Sequence, residues 1–275
     1  MIPAFRWILV PFVGLALGAT WSLLVLPGRT EDLFAWTIEP TLTAALLGAA
    51  YGGTLVFFVL ALREPVWANM RIVIPAPFVL STLMLIATAV HEDRFHLRDA
   101  ALVPTGVAWI WTVVYVVVPP ALLVLFVVQL RAPGIDPPRT APMPSWLVVL
   151  MGAYGVASVV GGLVLFVAPE EVVPHWPWTI TALTGRALAA WIVALGVAAL
   201  QGLVERDLRR VRIGLVAFTI IGGLGLLQLV RFHDQVSWDL GGWLVAAYLL
   251  VMAVAGGVGW RLSVARADAD LSTSP

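Results

Sequence analysis

Long apolar runs, each closed by a short polar or proline-containing break, recur along the whole chain. A helix needs about 20 mostly apolar residues to cross roughly 30 Å of hydrocarbon with its backbone hydrogen bonds satisfied internally. Eight stretches approach or exceed that length: Trp7 to Leu26, Thr41 to Leu62, Ile72 to Val90, Pro104 to Leu130, Ser145 to Ala168, Thr181 to Val204, Ile213 to Val230 and Gly241 to Trp260. The pattern predicts an all-α polytopic integral membrane protein with eight transmembrane helices. Pro75 and Pro77 remove backbone donors near the start of the third stretch, which delays that helix by about a turn. Pro119 and Pro120 lie near the centre of the fourth and predict a kink. The first stretch follows a segment with one arginine, as a signal sequence does, but its apolar run is too long for one.

Composition sharpens this reading. The 275 residues are 61% hydrophobic and 12% charged, with a mean hydropathy of +0.97. A soluble domain carries about 25% charged residues, so a secreted domain, a cytosolic enzyme and a nucleic-acid binder are all disfavoured. The formal net charge is zero, which removes any global attraction to nucleic acid. There is no cysteine, and every basic residue is arginine. The N-terminus, the even-numbered loops and the C-terminal tail hold eleven arginines, and the odd-numbered loops hold four. The positive-inside rule then predicts a multi-pass membrane protein with both termini in the cytoplasm; the expected location is the bacterial cytoplasmic (inner) membrane.

The two halves of the chain repeat one another. At an offset of 142 positions, Pro27, Trp36, Thr37, Ile38, Ala45, Leu46, Leu85 and His91 match Pro169, Trp178, Thr179, Ile180, Ala187, Leu188, Leu227 and His233. Trp-Thr-Ile in register with both a proline and a histidine is hard to obtain by coincidence. The expected organisation is a first four-helix membrane repeat over residues 1–130, a proline-rich cytoplasmic linker over 131–144, and a second four-helix repeat with a short tail over 145–275. An even number of spans per unit inserts both copies the same way, as parallel repeats about an axis along the membrane normal.

The paired tryptophans, the proline-terminated first helix and the alanine-rich second helix resemble polytopic membrane proteins common in high-GC bacteria. The stretch Leu163 to Trp238, with its Pro-loop-Trp-Pro-Trp-Thr pattern followed by a small-residue helix, also resembles four-helix modules of the DoxX-like kind. The resemblance implies the four-helix unit and carries no catalytic residue with it.

Candidate chemistry gathers on the outer face. His91, His96, His175 and His233 all fall in odd loops or at outer helix ends, together with ten of the sixteen carboxylates. Imidazoles and carboxylates on one face suit a divalent metal or proton transfer; ordinary interfacial solvation gives the same distribution. The equivalent His91 and His233, followed by Glu92 and Asp234, form the best pair. Arg186 lies about a turn inside the sixth span, where an ionisable group needs a partner or water. Its expected partners are Glu39 or Asp234, and the alternative is that it snorkels to outer headgroups. Interfacial tryptophans, Trp36 and Trp178 among them, read as an aromatic belt. Gly14 with Gly18, and Gly48 with Gly52, fit the small-xxx-small spacing of close helix packing.

No nucleotide-binding loop, zinc-protease helix or serine-hydrolase elbow is present in the sequence. The sequence therefore predicts a membrane protein without a catalytic centre or cofactor, which binds or translocates a small or lipid-like molecule in a cavity open to the outer side. The ligand-binding candidates are Trp36, Glu39, His91, Trp178, Arg186, His233 and Asp234. Two other classes stay open: a redox or metal- or haem-binding module built on the outer histidines and carboxylates, and a membrane scaffold. The expected partners are membrane lipids, a small-molecule or lipid ligand, and a second copy or another membrane protein.

Overall fold

A computed structural model describes residues 3–71, 74–131 and 136–272, with side chains described over 9–71, 74–131 and 136–266. The described chain is helical, and its one β-type contact is an isolated antiparallel bridge between Pro142 and Asp207. Eight helices form the body: α1 Pro3–Thr20, continued by a wider turn over Trp21–Val25, α2 Thr41–Arg63, α3 Pro75–Val90, α4 Leu102–Arg131, α5 Ser145–Val167, α6 Ala182–Glu205, α7 Leu208–Arg231 and α8 Leu240–Ser272. Six of them, α2 and α4 to α8, are long and apolar enough to cross a membrane. A seventh span results if α1 is joined to the turn over Pro27–Leu33, which bends from it by 100°. The remaining helix, α3, is apolar but only 16 residues long. It starts with Pro75 at its first position, so the proline that lacks an N–H occupies a site where none is needed.

The helices form a central and a peripheral set. Half or more of the spanning residues of α2, α6 and α7 are buried, against 17% for α4. Outward positions of α4, such as Trp109, Val113, Val116 and Val117, are at least half exposed and entirely apolar, as a lipid-facing surface requires and a water-facing one does not. The most extensive packing joins α5 to α6, α7 to α8, α2 to α7 and α3 to α6, followed by α1 to α2 and α3 to α4. With α1–α4 grouped as a first quartet and α5–α8 as a second, by chain order alone, the second and third helices of each pack against the third and second helices of the other.

Glycines allow several of these approaches. A Cβ at Gly196 would lie 2.8 Å from the Gly155 carbonyl oxygen, between α5 and α6. One at Gly222 would lie 2.6 Å from the Ala253 backbone nitrogen, between α7 and α8. Gly48 is equally tight against the backbone of Leu23 and Leu24. Gly14 and Gly18 differ from the expectation of close packing, since a Cβ at either would meet nothing within 4 Å.

The arginine-rich turns meet at one end. Glu205, at the end of α6, is almost fully buried and accepts from Arg71 and from Arg210 Nη1 at 3.2 Å. Asp136 lies 2.6 Å from Arg71, and Arg210 also donates to the Pro137 carbonyl at 2.7 Å. Burial of this kind is tolerated only because each charge has an opposite partner, and Glu205 and Asp136 hold the Arg71 guanidinium protonated even more firmly than usual. The turn between α6 and α7 is tight. Arg206 adopts a left-handed conformation at φ 48°, and Asp207 then caps α7 by accepting from the Arg209 and Arg210 backbone nitrogens. The other Asp207 oxygen accepts from Ala141 N at 2.8 Å. The described residues 136–144 before α5 are thus pinned across this turn.

Candidate functional site

At the opposite end lie the histidine-bearing loops. Arg186 Nε donates to the Phe166 carbonyl at 3.1 Å, and its Nη1 lies 2.6 Å from His91 Nε2. Phe166 is in the last turn of α5 and His91 caps α3. Arg186 therefore brings positive charge to two helix C-termini, where carbonyls lack intrahelical partners and the helix dipole favours a cation. Neither Glu39 nor Asp234 is its partner, in contrast to the sequence expectation. Burial and the adjacent guanidinium both lower the His91 pKa, so His91 is the neutral acceptor in this pair. A related tie joins the quartets on the other side: the Gln235 side chain accepts from Leu42 N at 3.0 Å and donates to Thr41 Oγ1 at 2.8 Å, at the start of α2.

Trp36 and Trp178 belong to the core rather than to an interfacial belt, at 2% and 5% exposure. The loop after α1 folds back over the helix ends and places the Trp36 ring among Phe34, Phe95 and Trp111, with centroids 4.9 to 5.2 Å away. His96 helps hold this loop, contacting the Phe34 carbonyl and Thr37 Oγ1, each at 3.1 Å. Trp178 donates to Thr43 Oγ1 at 2.8 Å, across the two quartets. Glu39, His233 and Asp234 are exposed. The seven candidates are thus split between one ion-dipole tie, two core tryptophans and the surface. Among the described residues, no three His, Cys, Asp or Glu side chains are placed to hold one metal ion.

A cavity lies elsewhere. It measures about 440 Å³, opens on one flank and is lined by α1, α2, α3 and α4, with Trp191 of α6 at its back. Pockets that take small molecules commonly measure roughly 300–1,000 Å³. Leu33 and Phe34, beyond the bend after α1, form one end, and Phe58 and Pro77 lie toward the other. Its flank lies between α1 and α4, where Trp21 is 59% and Ile110 52% exposed. Gly14 and Gly18 are on the α1 wall, and the side chains they lack leave the space open.

The polar groups of the cavity are few. Ser22 and Thr54 donate to the helix carbonyls of Ala19 and Ala50, which satisfies their protons locally. The Tyr51 and Tyr115 hydroxyls lie 2.9 Å apart and bond each other across the space between α2 and α4. Trp191 packs edge-on against Tyr51 at 5.1 Å, and its indole N–H is buried without a partner.

Between α5 and α8 aromatic packing occupies the gap. Tyr154 of α5 stacks on Tyr248 of α8, with centroids 4.8 Å apart and planes 19° apart, and its hydroxyl donates to Met252 Sδ. A small cavity of about 10 Å³ beside Tyr154 and Met252, between α5, α7 and α8, is close to the space of a single water.

Comparison with known protein families, with curated proteins and with solved structures finds no match to this chain.

None of the seven sequence candidates lines the cavity. Its tyrosines carried one legible signal, since all four tyrosines of the chain fall inside predicted spans.

Proposed function

We propose that this is an eight-span membrane protein that binds one apolar, lipid-like molecule in the cavity of its first quartet. The observation that carries the proposal is a ligand-sized, apolar cavity on the lipid-facing flank, with two glycines on its wall and one hydroxyl pair inside it. A hydrophobic molecule enters such a space from the bilayer without crossing a polar barrier, and fills a void whose lining atoms otherwise lack partners.

Eight crossings are supported by the sorting of the loops, because the arginine-bearing turns bond to one another at one end and the histidine-bearing loops at the other. That sorting requires the short α3 to run the full distance between the two ends. Internal duplication is supported by the reciprocal packing of α2 on α7 and α3 on α6. The positive-inside bias places the arginine-rich end in the cytoplasm of a bacterial inner membrane. With no native cysteine, a single cysteine at Glu170 is expected to react with an impermeant maleimide in intact cells and one at Arg139 to be shielded; the reverse pattern would invert the orientation.

Photolabelling of the full-length protein with hexadecane carrying a diazirine tests the binding reading. Labelling is expected to concentrate on α1 and α4 and to be suppressed by Gly18→Leu, which places a side chain into the cavity. Gly161→Leu on α5 also meets no neighbour and is expected to change nothing. Labelling spread over all lipid-facing helices and indifferent to Gly18→Leu would rule out the site.

A further inference from the structure

We infer that the bound molecule carries a neutral acceptor oxygen, of carbonyl type, which the Tyr51–Tyr115 pair recognises; this rests on the cavity being the binding site. Two phenol hydroxyls have two protons between them, and their mutual hydrogen bond at 2.9 Å uses one. Whichever hydroxyl donates, the other keeps an O–H proton. Among the described residues no further acceptor meets either hydroxyl, and both residues line the cavity. The remaining side-chain hydroxyls of the lining, Ser22 and Thr54, are occupied by their own helices.

A second unmet donor lies beside the pair. Trp191 packs its ring on Tyr51 behind the same cavity, and its indole N–H is fully covered and has no partner, so the tyrosine pair alone offers a ligand its donor. In an apolar medium an unpaired donor is costly, and the excess here is of donors. No arginine, histidine or carboxylate lines the cavity, so a charged carboxylate or phosphate in it would lack a counter-charge. The ligand class that balances this inventory is a hydrophobic skeleton bearing an uncharged C=O. A ring carbonyl, as in a quinone, and an ester carbonyl, as in a glycerolipid, both supply that chemistry.

The test is competition against the diazirine-hexadecane probe on the full-length protein in detergent. The competitors are 2-hexadecanone, hexadecane, a decyl-substituted benzoquinone and diacylglycerol. A neutral hydrogen bond contributes about 0.5–1.5 kcal/mol net, so 2-hexadecanone is expected to compete roughly 3- to 10-fold better than hexadecane. Tyr51→Phe and Tyr115→Phe each leave one free phenol and should keep the preference. The Tyr51→Phe/Tyr115→Phe double variant should lose it while still binding the alkane. The better of the quinone and diacylglycerol competitors identifies the source of the carbonyl.

Equal competition by ketone and alkane in the unmodified protein, or a preference that survives in the double variant, would overturn the carbonyl inference and leave the cavity as the site. Labelling that Gly18→Leu does not suppress would overturn both.

Discussion

The first four helices and the last four differ in how the first of each set meets the fourth. In the second quartet the gap between α5 and α8 is filled by the Tyr154–Tyr248 stack and Met252. In the first, Gly14 and Gly18 of α1 are among the lining of a cavity of about 440 Å³. Both quartets hold their inner helices with equal economy, through each other, so the fold does not depend on closing the outer gap. A bundle anchored by α2, α3, α6 and α7 leaves its peripheral helices free to differ, and the difference creates the candidate site.

The shared anchor gives the largest expected effect. Glu205→Gln leaves Arg71 and Arg210 with one buried countercharge fewer, and removing one partner of such a cluster costs about 3–5 kcal/mol. Thermal unfolding of the purified protein should show a single transition at markedly lower temperature. Loss confined to one half of the chain in limited proteolysis would contradict the idea that both quartets depend on this end.

Met252→Ala addresses the closed gap directly. Met252 is 1% exposed and accepts the Tyr154 hydroxyl, so truncation should cost about 2–5 kcal/mol. It should also admit the diazirine probe between α5 and α8, making the second quartet resemble the first; a destabilised protein with no new labelling would show that the gap collapses instead.

A substitution of lesser cost contrasts the glycines. Gly222→Val drives a side chain into the α8 backbone, for which overpacking costs about 1–3 kcal/mol. Gly14→Leu enters open space, so its effect should stay within about 0.5 kcal/mol. Comparable melting temperatures for the two variants would erase the distinction between packing and cavity glycines.

The smallest effect concerns pH. His91 has a lowered pKa in the folded protein, through burial first and the Arg186 charge second. Its unfolded value is about 6.5, so its contribution to stability is present above that value and is lost as the pH falls through the lower folded value. Melting temperature should therefore decline from near pH 6.5 downward, by less in His91→Gln than in the unmodified protein; an identical decline in both would assign it to other groups.

The helical class was legible in the sequence, because long apolar runs set it. Each of the eight predicted stretches contains a helix, but only six, or seven with the bent first helix, are long and apolar enough to cross a membrane, and α3 starts at Pro75 with 16 residues. The site was not legible, for a reason specific to this solvent. Lipid and protein interior are equally apolar, so the outward face of α4 and its buried Trp111 and Tyr115 carry no contrasting pattern along the helix. Gly14 and Gly48 look alike in spacing, yet one lines a void and the other meets backbone. Arg186 stands out in the sequence as a charge inside a span, but its contact, His91, comes from the other half of the chain. Only the crossing of the quartets places them together.

The most direct measurement compares diazirine-hexadecane labelling of the unmodified protein, Gly18→Leu and Gly161→Leu at matched concentration. Strong labelling of α1 and α4 that persists in Gly161→Leu and disappears in Gly18→Leu is the predicted result. Labelling that persists unchanged in Gly18→Leu would contradict it.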